Sequence, residues 1–407
     1  MKLLIIWREL PNPQNSSTSR IYYLIKNAKK YNLDITLITF RSKNELYEIE
    51  DEIEDDLAQY CNSIIFVDKP REIGSLLGFF SIFKNLIGVE EVSFFDRLRF
   101  SSFISLDLRK SIKKSIATEN FDLIYVDYVL FHNSLFQNKK IPIVLDFLDP
   151  ILYPRYQLIK YEKSLKRKLR ELLLYYRSKF FEVPYYKYFD ASIFVAKLHE
   201  ELLNEYLPEK RFIIPYGVDA DHFKPENNLE QLKKCIVFTG GMYYLHNVNA
   251  VLYFYKEIFP IIKNKIPEIK FYIVGTRPPK DILELKSDKS VIVTGYVKDI
   301  KPYLSKSSVV IAPLITDDGG FKIKILEAMA MGKPIVSTTI GAKALNVSDE
   351  ENIIIADEPH EFAQKIVSLI NNEQLAENLG SNARKFVEEE YSWPKATDLI
   401  VKAFNEF

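Results

Sequence analysis

From Leu3 to Ile355 the chain repeats one pattern: a short, wholly apolar run, a longer amphipathic stretch, then another short apolar run. Apolar runs this short, without polar alternation, mark strands buried on both faces. Such strands pair in parallel, and each parallel connection needs a crossover that covers the sheet, usually a helix. Leu3–Trp7, Ile35–Phe40, Ile64–Val67, Leu123–Val126, Ile143–Leu145, Ala191–Val195 and Phe212–Ile214 are therefore predicted strands, with helices at Ser19–Tyr31 and Leu198–Tyr206. The rhythm restarts at about Lys233. Cys235–Thr239, Lys270–Val274, Ser290–Thr294, Val309–Ala312, Ile335–Ser337 and Asn352–Ile355 form a second predicted set. Helices are predicted at Asn249–Lys263, Asp281–Leu285, Lys322–Met331 and Glu361–Ile370.

A chain of 407 residues is too long for one ordinary core. The break falls at Pro215-Tyr-Gly-Val-Asp219 and Lys224-Pro-Glu-Asn-Asn228, where Pro, Gly and Asn read as turn plus linker. The predicted fold class is α/β: two Rossmann-like, doubly wound parallel-sheet domains facing across a cleft, with ligands expected outside the carboxyl ends of the strands.

Charge and cysteine usage narrow the function. Lys plus Arg and Asp plus Glu number 55 each, whereas a nucleic-acid binder usually carries a basic excess. Cys61 and Cys235 stand far apart without metal-ligand spacing and read as reduced core residues. Met1–Trp7 is too short an apolar run for a signal peptide before Arg8 and Glu9, and no uncharged stretch approaches a membrane span. A cytoplasmic protein is expected.

Two segments interrupt the pattern. Residues 73–103 hold Leu76-Leu-Gly-Phe-Phe80 and Val92-Ser-Phe-Phe95; residues 160–187 carry nine basic against three acidic side chains among apolar and aromatic ones. Both suit ordinary packed helices with a solvated face, and equally a peripheral surface lying on an anionic membrane on the cytoplasmic side.

The most informative stretch runs from Ile311 to Ser337. A strand ends at Pro313, a loop closes on Gly319-Gly320, and a helix is predicted to open at Phe321. Glycines allow a ligand close to the backbone, and free N–H groups at a helix start favour a diphosphate. Lys322 and Lys324 add positive charge, and Glu327 lies one turn past Lys324, where a carboxylate can accept hydrogen bonds from ribose hydroxyls. The same residues would also make a surface helix with a Lys324–Glu327 pair.

The stretch resembles the signature of family 4 glycosyltransferases of the GT-B fold (glycosyl transferases group 1): a glycine-bearing loop, then Lys-x-Lys-x-Leu-Glu-Ala-Met-Ala-x-Gly-x-Pro. Ile214-Pro-Tyr-Gly-Val-Asp219 is similar to the family's Pro-Asn-Gly-Val-Asp, with Tyr216 replacing Asn. Lys270-Phe-Tyr-Ile-Val-Gly275, Val293-Thr-Gly-Tyr-Val-Lys-Asp299 and Tyr391-Ser-Trp393 also match in order. The resemblance covers Lys233–Trp393 and is diffuse earlier in the chain. It implies an acceptor-binding domain over 1–225, onto which a last helix at 390–407 packs back, and a nucleotide-sugar-binding domain over 230–389. It implies transfer of a sugar from a nucleoside-diphosphate sugar to a hydroxyl acceptor with retention of configuration. The aromatic and basic segments make a lipid-linked or cell-surface glycan precursor, in polysaccharide or glycoconjugate biosynthesis, the preferred acceptor. The donor is a co-substrate; no cofactor or metal is expected.

By resemblance, Glu327 holds the donor ribose, the backbone of Gly320, Phe321, Lys322 and Ile323 holds the diphosphate, and Tyr296 and Val297 border the base. Gly240 and Gly241 let the phosphates approach. The sequence also departs from the family. Gly319 stands where a first glutamate touches the sugar, with Asp317 or Asp318 as substitutes. A basic pair after the domain's first strand is replaced by Gly241 and His246, leaving Lys322, Lys324 or Arg277 to meet phosphate charge. Asp149, Asp146 and His132 are the candidates to assist the acceptor hydroxyl, and Arg20 is placed on the acceptor side. The alternatives are a nucleotide-sugar epimerase or phosphorylase of the same fold, or a non-catalytic binding protein.

Overall fold

The structure, a computed structural model, describes residues 1–13, 18–41, 47–68, 106–127, 140–148, 152–161, 164–177, 179, 186–187, 189–201, 203–225, 234–316 and 320–407. Of the sequence candidates, His132, Asp149, Asp317, Asp318, Gly319 and the segment 73–103 lie outside these residues, as does part of 160–187.

The chain divides into two compact units. Met1–Pro215 joins Ala396–Phe407 in the first; Tyr216–Lys395 forms the second. The first holds seven strands: β1 (Lys2–Trp7), β2 (Asp34–Arg41), β3 (Ser63–Asp68), β4 (Leu123–Asp127), β5 (Ile143–Phe147), β6 (Ala191–Phe194) and β7 (Lys210–Ile213). They lie in the order β3-β2-β1-β4-β5-β6-β7, every pairing parallel. The order reverses beside β1, so the carboxyl ends of β1 and β4 flank a topological switch point. Leu4, Ile6, Ile124, Val126, Leu145 and Phe147 fill the core on one face of this sheet. The returning helix Trp393–Phe404 contributes Phe404, which meets Tyr125 edge-on at 5.0 Å between centroids.

The second unit holds β8 (Cys235–Thr239), β9 (Lys270–Val274), β10 (Val291–Gly295), β11 (Val309–Ala312), β12 (Ile335–Ser337) and β13 (Ile354–Ile355). Their order is β10-β9-β8-β11-β12-β13, again all parallel. Along β8, Ile236 and Phe238 enter one core cluster while Cys235 and Val237 enter the other. A strand covered on both faces has no solvent side on which polar residues could alternate, which explains the unbroken apolar runs in the sequence.

All thirteen predicted strands are present, with ends moved by two residues or fewer. The predicted Asn249–Lys263 helix is three pieces: Leu245–Tyr253, a π turn over Phe254–Ile258, and Phe259–Lys265. Pro260 lacks an N–H and its ring crowds the preceding turn, so the ladder loosens there.

Candidate functional site

The carboxyl ends of β8 and β9 are built for close approach. Gly240 has φ of +153°, in the region that disfavours side chains. Its N–H donates to the Val274 carbonyl at 3.0 Å, and a Cβ on Gly275 would lie 1.8 Å from the Gly240 oxygen. Only glycine fits at position 275. A Cβ on Gly240 would meet the Lys324 Nζ at 2.7 Å and the Asn247 Nδ2 at 2.9 Å. Thus Lys324, from the helix after β11, reaches back across the sheet edge to the turn after β8.

That helix spans Ile323–Ala330, two residues later than the predicted opening at Phe321. Phe321 belongs to the loop because its ring is engaged elsewhere: it stacks on Tyr216 at 6.0 Å and tilts onto Tyr391 at 6.0 Å. Tyr216 also meets Trp393 edge-on at 5.5 Å. The tyrosine that replaces the family's asparagine is thus buried beneath the loop that precedes the helix. The backbone groups opening the helix are those of Ile323, Lys324 and Ile325, and Ile325 N–H already donates to the Lys322 carbonyl at 3.0 Å.

The two lysines differ. Lys322 is buried and its ammonium donates to the Gly320 carbonyl at 2.7 Å, bracing its own loop. The sequence expects a catalytic or phosphate-facing cation at this position, and in the structure the ammonium rests against its own loop. The Lys324 ammonium donates to Asn247 Oδ1 at 2.6 Å and sits 4.1 Å from the Phe238 ring centroid. Glu327, one turn on, is half-buried and closed in by surrounding atoms. Desolvation lifts its carboxyl to about 7, against the opposing pull of the Lys324 charge.

Around this edge, Tyr243 and Tyr244 are exposed, and Tyr244 stacks on His246 at 5.4 Å. The Arg277 guanidinium lies 5.8 Å from the Tyr243 ring centroid, its backbone at φ +53°. Tyr296 follows Gly295 (φ +75°) and is 76% exposed, while Val297 packs against the core beneath. The structure brings Gly240, Gly241, Lys324 and, at the same strand ends, Arg277 and His246 to one edge of the second unit. Asn247, buried at the start of the Leu245 helix, was missed from sequence. An asparagine in an apolar helix carries no motif of its own.

In the first unit the structure corrects the assignment of Asp146 and Arg20. Both side chains are fully buried and form one ion pair, Arg20 Nη1 donating to both carboxylate oxygens at 3.1 Å. Tyr125 Oη donates to the same carboxylate, and Arg20 Nη2 donates to the Ile214 carbonyl and, at 3.2 Å, to that of Pro215. A carboxylate enclosed by a guanidinium and a phenol is a structural counter-ion, out of reach of an acceptor hydroxyl. Beside it in register stands Asp127, paired with the partly exposed Arg8 at 3.0 Å. These two at the switch point were not singled out from sequence.

Residues 233–372 match the family of glycosyl transferases group 1. That match covers about a third of the chain, and the chain is a glycosyltransferase. A 44.6 kDa protein of the cps region of Klebsiella pneumoniae is 22% identical over 98% of this chain and 99% of its own length. A capsular polysaccharide biosynthesis glycosyltransferase of Staphylococcus aureus, CapM, is 30% identical over 37% of this chain and 41% of its own. Among solved structures, TarM superposes with a TM-score of 0.68 at 16% identity, covering 99% of this chain and 98% of that one. A substituted S. aureus TarM in complex with fondaparinux, α-GlcNAc-glycerol and UDP gives a TM-score of 0.65 at 15% identity, covering 99% of each chain. The fold is GT-B.

Proposed function

We propose that the chain moves a sugar from a nucleoside-diphosphate donor held by the second unit to a hydroxyl of a lipid-linked or cell-surface glycan precursor held by the first. The observation that carries this reading is the convergence of Lys324, the glycine-only edge Gly240–Gly275 and the Ile323 helix start on one place, with Glu327 one turn inside. The capsular relative and the UDP complex of TarM support it. As the bond from the sugar C1 to the diphosphate oxygen breaks, a bond to the acceptor oxygen forms, and the acceptor proton leaves with the nucleoside diphosphate. Charge grows on the departing oxygen, and the Lys324 ammonium and the free N–H groups of the helix start stabilise it. Positive charge supplied in this way suits a metal-independent reaction, and the family pattern suits retention. Glu327 accepts hydrogen bonds from the ribose.

The test is a calorimetric panel of UDP-, GDP-, ADP- and dTDP-sugars. One donor should bind, and Glu327→Ala should abolish its binding and transfer; unchanged binding and transfer in that variant would refute the assignment.

Among the described residues no helix is long and apolar enough to cross a membrane. On the helix Leu165–Arg177, Leu165, Leu169, Leu173 and Tyr176 are all exposed at spacings of four, four and three, a single stripe. Lys166, Arg167, Lys168 and Arg170 lie beside it. An apolar stripe edged by cations suits an anionic lipid surface and peripheral attachment on the cytoplasmic face. Flotation with phosphatidylglycerol vesicles should recover the protein, phosphatidylcholine vesicles should not, and Leu169→Ser with Leu173→Ser should release it without lowering Tm. Equal recovery with both lipids argues against the proposal.

A further inference from the structure

After β8 the chain carries Gly241 and His246 where the family has a basic pair, yet this is the place where donor phosphates would arrive. Buried beside it is Asn247, 3% exposed, whose carboxamide makes two contacts of opposite polarity. Its Oδ1 accepts from the Lys324 ammonium at 2.6 Å, and its Nδ2 donates to the Gly241 carbonyl at 2.9 Å. The orientation is fixed by chemistry: the reverse flip would set an amide N–H₂ against an ammonium and an oxygen against a carbonyl. Aspartate could hold the lysine but would oppose the Gly241 oxygen and cancel the cation. Leucine, of similar shape, would leave both partners unmet.

The absence of a side chain on Gly240 completes the arrangement, since the space is occupied by the Lys324 Nζ and the Asn247 Nδ2 themselves. A cation borne by one helix is thereby delivered to a turn borne by another strand, seventy-seven positions away in sequence from its amide partner.

We propose that Asn247 is the positioning residue that locks Lys324 and the Gly240–Gly241 turn into one anion-binding unit, replacing a cation of the turn's own. The inference rests on the donor-site reading above. Asn247 acts through Lys324, so its removal and that of Lys324 must be energetically coupled.

The experiment is calorimetric titration of the full chain with UDP, GDP, ADP and dTDP, using wild type, Asn247→Leu, Lys324→Met and the double variant, with Tm recorded for each. For the nucleotide that binds best, each single variant should weaken Kd about tenfold or more. The double variant should be no weaker than Lys324→Met alone. Losses that multiply in the double variant, or wild-type affinity in Asn247→Leu, overturn the positioning role while leaving the donor site standing. Wild-type affinity in Lys324→Met, or no binding of any of the four nucleotides, overturns the donor reading and this inference with it. Should Asn247→Leu fail to fold, Asn247→Asp replaces it: a folded variant with weakened Kd supports the role, and an unchanged Kd refutes it.

Discussion

Replacing Glu327 by Gln tests the electrostatics of the site with opposite signs in two assays. Burial raises the carboxyl from 4.5 to about 7 in the folded protein. An acid with a raised folded pKa is stabilising in its protonated form, a contribution complete below the unfolded pKa and lost as pH rises through the folded one. From pH 4.5 to about 7 the ligand-free protein should therefore lose up to about 3 kcal/mol, at roughly 1.4 kcal/mol per unit. In the second unit that corresponds to a fall in Tm of about 5 to 10 °C. Glu327→Gln, which cannot ionise, should remove this slope and be the more stable protein at pH 8. Donor binding should run the other way. If the ribose needs the carboxylate, binding expels the proton, and affinity should drop about tenfold between pH 8 and pH 6. Titrations in buffers of different ionisation enthalpy should show proton release near pH 6.5. The Gln variant should bind weakly at both pH values with no proton release. A wild-type Tm profile identical to that of Glu327→Gln, together with pH-independent affinity, would refute the raised carboxyl and its place at the donor.

Two further outcomes follow from packing. Gly275→Ala places a Cβ 1.8 Å from a backbone oxygen that cannot step aside, so the β8 and β9 ends must separate. The expected cost is at least about 3 kcal/mol, seen as a lower Tm and loss of nucleotide binding; a variant with wild-type Tm would mean the two strand ends are not in this contact. Arg20→Met strands Asp146 inside the first unit and should cost about 3 to 5 kcal/mol. Adding Asp146→Leu should recover much of it, and a double variant no better than the single would show that the pair is not what Arg20 contributes.

How far the sequence could be read depended on whether neighbours in space were neighbours along the chain. The strands were legible because burial on both faces writes itself into each run, as at Cys235–Thr239. Gly320, Lys324 and Glu327 could be grouped from the sequence because one continuous loop and helix carries them. Arg20 and Asp146 were separately visible but not as a pair, being 126 positions apart. The helix start was misplaced because nothing local reveals that the Phe321 ring is anchored on Tyr216 and Tyr391. Asn247 was invisible for the same reason, its two partners lying on other elements.

The chain leaves the first unit at Pro215 and re-enters it at Ala396, while Val218 and Ser392 are bridged within the second. The second unit is thus a closed insertion whose two ends leave side by side. During synthesis it can complete its sheet before the first unit is whole, because Phe404, which sits against Tyr125, is made after the whole of the second unit. Until then Tyr125 lacks its Phe404 neighbour, and removing residues 396–407 should injure the unit that was begun first.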